Sequence, residues 1–128
     1  MFAKHKKQHE EQIARLQEQV ARLRSLDAAQ LAAQVMGCCS AFEPDYDCIT
    51  TGGLAEQILP KVGMLRDPAV VELSNLVDEG AQTLIRAGLL AAGGWGGAGD
   101  GNTYIVTRSG RAALAEGTVA QALGSAPS

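Results

Sequence analysis

Aromatic residues are scarce in this chain: Phe2, Phe42, Tyr46, Trp95 and Tyr104 are the only five among 128 residues. Any core must therefore be built from Leu, Val, Ile and Ala, and a chain of this length can bury one modest core. Histidine is scarcer still. His5 and His9, four residues apart, amount to two ligands and no site, and Lys4, Lys6 and Lys7 beside them would repel a cation. There is no third histidine, no nucleophile elbow and no carboxylate pair with an evident pocket, so a non-enzymatic protein without cofactor or metal is expected. No apolar run approaches the roughly 20 residues that span a bilayer. The charged start MFAKHKKQHEEQ lacks the apolar stretch of a secretory signal, and a cytoplasmic protein without membrane contact is expected.

Cysteine is equally uninformative. Cys38, Cys39 and Cys48 are odd in number, lack CxxC spacing, and the adjacent pair points different ways from a helix. Buried thiols are expected, with neither zinc nor a disulfide. Glu43, Asp45 and Asp47 alternate around Tyr46 without the glycine and terminal glutamate of an EF-hand, so they read as a solvated loop. Residues 94–99 formally satisfy GxGxxG, but a strand follows where a nucleotide site needs a helix. A hairpin turn is the better reading.

Charge is divided unevenly. The chain carries −3 overall, but residues 1–25 carry +3 and the remainder −6. The basic part, residues 4–24, has no Gly or Pro and favours helix. Ile13, Leu16, Val20 and Leu23 repeat at 3-4-3 spacing, the stripe of a short coiled coil. Two heptads are marginal alone in water. The stripe must pair with a second copy, dock on its own domain or meet a partner, and homodimerisation is the expectation.

Ser25 or Asp27 can cap a second helix running to about Ser40, followed by a loop from Phe42 to Thr51. Thr50 or Thr51 precedes a short helix with Leu54, Ile58 and Leu59 inward, ended by Pro60 and Gly63. Asp67-Pro68 is a strong helix start. Val70, Leu73, Val77, Ala81 and Leu84 then form one inward stripe, so a single long helix is expected, with Gly80 allowing close packing or a bend. Gly88 breaks that helix, and six glycines between Gly93 and Gly101 mark a flexible tip. Tyr104-Ile105-Val106 reads as a strand antiparallel to Leu89–Ala92, and Thr107 can cap a final helix carrying Ala112, Ala113 and Leu114. The expected organisation is a basic N-terminal helix over residues 1–26, a domain over 27–117 and a flexible tail over 118–128.

Helix, two-stranded wing, helix: residues 83–117 resemble the second half of a winged helix-turn-helix domain. The "RAGLL" helix end and the "TRSGRAAL" strand-to-helix junction are similar to those of small bacterial regulators in that superfamily. "TTGGLAEQILP" resembles its second helix. The resemblance implies a mostly α fold with a small two-stranded antiparallel wing, preceded by the N-terminal helix. It also implies a third helix, Asp67–Ala87, set in a DNA major groove, and a dimeric DNA-associated transcriptional regulator.

Duplex affinity comes mainly from cations on phosphates, so Lys4, Lys6, Lys7, Lys61, Arg66, Arg86 and Arg108 are the candidate nucleic-acid contacts. Ser74, Asn75, Gln82 and Thr83 can hydrogen-bond to bases. The third helix nevertheless carries −3 from Asp67, Glu72, Asp78, Glu79 and Arg86. The alternative is a protein-interaction module, an adaptor or subunit of a larger assembly, with an acidic surface and no DNA. Ile13, Leu16, Val20, Leu23 and Trp95 are the candidate dimer or partner contacts, tryptophan being a common anchor.

Overall fold

A computed structural model describes residues 2–40, 49–93 and 103–124, with side chains from Lys7 onward. Six α-helices and three short strands follow in the order α1 (Phe2–Arg24), α2 (Ala28–Cys39), β1 (Ile49–Thr50), α3 (Thr51–Ile58), α4 (Pro68–Arg86), β2 (Leu90–Ala92), β3 (Thr103–Val106), α5 (Arg108–Glu116) and α6 (Val119–Gly124). A 3-10 turn, Val62–Met64, links α3 to α4. The chain is mostly helical with a small antiparallel sheet.

Helix starts are set by short polar side chains. Asp27 closes a capping box with Gln30 at the head of α2, and Thr50 accepts the Gly53 N–H at the head of α3. Asp67 accepts from the Ala69 N–H, with Pro68 at the first helical position of α4. Each cap contributes about 1 kcal/mol by satisfying an amide that the helix leaves over. At the other end of α4 the chain enters a left-handed turn at Gly88, φ +80°. There the Leu89 N–H donates to the Leu84 carbonyl and the Gly88 N–H to that of Ile85, the paired bonds of a Schellman stop.

α4 is the central element. Leu73, Val77, Ala81 and Leu84 are fully buried along one face, and Val70 is half-buried at its edge. Gly80 lies where α2 crosses: a Cβ there would stand 2.6 Å from Val35 Cγ2 and 3.2 Å from the Leu31 carbonyl oxygen. The helix runs through Gly80 unbroken, and the missing side chain allows the close approach.

The sheet order is β1-β3-β2. β2 and β3 pair antiparallel with Leu90 opposite Val106 and Ala92 opposite Tyr104. The sheet has three strands where two were expected, because Ile49 and Thr50 pair with Tyr104 and Thr103 on the far edge of β3. Two residues are too short to show a period, and this segment had read as the end of a loop.

Two further expectations differ from the structure. Leu16, Val20 and Leu23 are buried, at 0%, 4% and 1% exposure, in the core of their own chain, where α1 lies along α4. Ile13 is half-buried. The spacing that suits a coiled-coil seam suits equally the flank of a neighbouring helix. Residues 119–124, expected in a flexible tail, form α6, which packs on α2 with Leu123 buried. The glycine tip, the acidic loop at 43–47, Cys48 and residues 125–128 lie outside the described residues.

Candidate nucleic-acid interface

The charges of α4 are engaged in different ways. Asp67 is the helix cap. Glu72 forms an ion pair with Arg24 of α1, both side chains largely exposed. Asp78 turns toward the sheet, where its Oδ1 accepts hydrogen bonds from Thr51 Oγ1 at 2.7 Å and from the Tyr104 hydroxyl at 2.6 Å. These three side chains join α3, α4 and β3 at one point, and both hydroxyl-bearing residues are buried. The exposed charges of α4 are Glu72, paired with Arg24, together with Glu79 and Arg86. Around them lie Pro68, Val71, Asn75 and Gln82, all exposed. With Asp67 capping the helix and Asp78 held at the sheet, that face carries two acids and one base, Arg24 of α1 offsetting one of the acids.

Basic side chains stand at both ends of this face. Lys61 and Arg66, both exposed, flank the 3-10 turn that leads into α4. Lys61 holds a left-handed backbone, φ 65°, and its N–H donates to Glu56 Oε2 at 3.1 Å. Arg86 is the last residue of α4. Arg108 opens α5 and is brought to the same end by Thr107, whose N–H donates to the Leu89 carbonyl and whose hydroxyl donates to that of Gly88. A helix of 19 residues separates the two ends by about 28 Å. The sequence-predicted cations therefore form two groups and no continuous band.

α1 adds to the first group. Gln8, His9 and Gln12 share a groove with Lys61, Met64 and Leu65, so the first half of α1 runs beside the Lys61 turn. Lys7, one residue before that groove, is exposed. The side chains of Lys4 and Lys6, and all of Trp95, lie outside the described residues. Of the other expected contact residues, Leu16, Val20 and Leu23 are enclosed by their own chain and present no open surface. Ser74 and Thr83 are half-buried, and the Thr83 hydroxyl donates back to the Glu79 carbonyl.

The remaining chemistry is quiet. Among the described residues, no three metal-ligating side chains converge. Cys38 and Cys39 are free thiols. Burial, and secondarily the neighbouring Cys38, pushes the Cys39 thiol up to about 12. Burial likewise raises Cys38, partly offset by the Arg22 guanidinium. Thiols held protonated are poor nucleophiles and poor ligands. Two features escaped sequence reasoning: the Asp78 cluster and the 62% exposure of Val71. Val71 had a signal, since it falls outside the apolar stripe of its helix; Asp78 had none.

Compared with known proteins, the chain matches no family model, no curated protein and no solved structure.

Proposed function

We propose that this chain is a non-enzymatic winged helix-turn-helix protein that binds duplex DNA through α4 and acts as a transcriptional regulator in the cytoplasm. The order helix, strand, helix, helix, two-stranded hairpin supports the architecture, and β1 closing onto β3 adds to it. One observation carries the DNA reading: the exposed face of α4 has Lys61 and Arg66 at one end and Arg86 at the other, where Thr107 also ties the start of α5 with Arg108. A major groove is about 12 Å wide. A helix of this length exceeds that width, so it would lie along the groove, with the cations at its two ends reaching phosphates on the groove walls.

Pairing of two chains through α1 is left to Ile13 and the turns before it, since α4 covers the rest of the stripe. The second reading, a protein-interaction module, draws on the −6 carried by residues 26–128 and on Met64, which is 76% exposed beside the groove under α1.

Titration of random-sequence duplex at low and moderate salt separates the two. The DNA reading expects binding whose logarithm falls with the logarithm of salt by about 0.9 for each phosphate neutralised. Lys61→Glu with Arg66→Glu should abolish it. Absence of any duplex binding at low salt would reject the reading and leave the interaction module.

A further inference from the structure

The groove between the first half of α1 and the 3-10 turn has a volume of about 380 Å³ and is lined by Gln8, His9, Gln12, Lys61, Met64 and Leu65. None of these side chains is acidic. Lys61, His9 and the two carboxamides can each donate hydrogen bonds, and Met64 and Leu65 leave the rest of the wall apolar. We propose that this groove holds a strand of the DNA backbone and that His9 makes the hold tighten on acidification, an inference that rests on the DNA-binding reading above.

The donor set suits phosphodiester oxygens, which only accept. Lys61 serves two surfaces, since it flanks the start of α4 and also lines the groove. A backbone strand that reaches Lys61 from α4 therefore has α1 beside it.

The charges around His9 set the sign of the response. Lys61 is the charged group that faces it across the groove, and behind that turn Glu56 Oε2 accepts the Lys61 N–H at 3.1 Å. On α1 itself Lys7, Glu10 and Glu11 are exposed. At 3.6 residues per turn they fall about 100° or more round the helix from His9. His5, the other histidine of the chain, precedes it by one turn. Imidazole is the side chain that ordinarily changes charge between about pH 5 and 8. A phosphate lying between His9 and Lys61 favours the charged ring. Binding therefore takes up a proton, and lowering the pH tightens the complex.

The test is titration of random-sequence duplex with the full chain at pH 8 and pH 6, each at several salt concentrations. Expected is binding about threefold to tenfold tighter at pH 6, with a salt slope steeper by about 0.9, the value of one further phosphate contact. His9→Gln removes the charge and keeps a good helix former at an exposed position, so it should bind alike at both pH values. His9→Lys should show at pH 8 the affinity that the parent reaches at pH 6. A pH response that survives His9→Gln, carried by His5 or by any other group, would overturn this inference. So would a parent that binds duplex equally at both pH values, and in either case the DNA-binding reading stands. Failure to bind duplex at either pH would remove both.

Discussion

Gly110→Ala is the sharpest test of how the hairpin joins the helices. Gly110 is the third residue of α5 and is buried. A Cβ built there would overlap the Leu89 carbonyl oxygen and stand 3.0 Å from Val106 Cγ1 and 3.1 Å from the Leu89 carbonyl carbon. The obstacle is backbone, so no rotamer change relieves it. α5 also cannot simply retreat. The Gly110 N–H donates to Thr107 Oγ1 at 3.0 Å, the Thr107 hydroxyl donates to the Gly88 carbonyl at 2.6 Å, and the Thr107 N–H donates to the Leu89 carbonyl at 3.1 Å. Overpacking of this kind costs about 1–3 kcal/mol. Stretching one or two of these bonds adds about 1 kcal/mol each, and alanine returns at most about 1 kcal/mol as a better helix former. The net loss is about 2–3 kcal/mol. For a chain of this size that is a fall of roughly 10 °C in melting temperature. Thermal and urea unfolding followed by circular dichroism would measure it, with the exposed neighbour Ser109→Ala as reference. A Gly110→Ala protein that melts with or above the parent would refute the close junction between α5 and Leu89.

Gly80→Ala should lower stability by about 1 kcal/mol in urea unfolding, the clash with Val35 and Leu31 outweighing the gain in helix propensity. Tyr104→Phe removes the hydroxyl bond to the Asp78 carboxylate and should cost about 1.5–3 kcal/mol in the same measurement. Leu16→Ala should cost about 2–5 kcal/mol at every protein concentration; a loss that disappears on dilution would show that the residue serves an interface between chains. The raised Cys39 thiol gives a pH dependence with a definite sign. The folded state keeps the proton up to about 12 while the unfolded chain releases it from its ordinary value of 9.0 upward. Stability contributed by the neutral thiol is therefore present below pH 9 and lost as pH rises above it. Cys39→Ala should flatten that decline when unfolding is compared at pH 8 and pH 10.5.

Local chemistry was the legible part of this chain. Short acceptors ahead of an apolar period announce helix starts: Asp67 and Thr107 cap as expected, and of the two pairs left open the caps are Asp27 rather than Ser25 and Thr50 rather than Thr51. Gly88 and the Tyr104-Ile105-Val106 run placed the two antiparallel strands for the same kind of reason. What stayed hidden depends on the partner of a surface. The 3-4-3 stripe of α1 specifies an apolar seam and does not say which helix fills it. Ile49-Thr50 becomes a strand only because β3 has an open edge beside it. The charge of α4 was countable, but its engagement by Arg24, Thr51 and Tyr104 requires residues 26 to 48 positions away. At the candidate site the residue types were readable and their grouping was not. Lys61 and Arg66 are close in sequence, whereas the start of α5 with Arg108 is tied to the end of α4 only by the hydrogen bonds of Thr107.

Those bonds have a consequence for how the hairpin can vary. Because Thr107 is tied to Gly88 and Leu89, and Gly93 to Thr103, the two strands are closed at both ends by their own residues. Doubling the length of a connecting loop costs only roughly 0.6 kcal/mol in closure entropy. Chain inserted between the two strands should therefore leave this closure, and the helices that rest on it, in place.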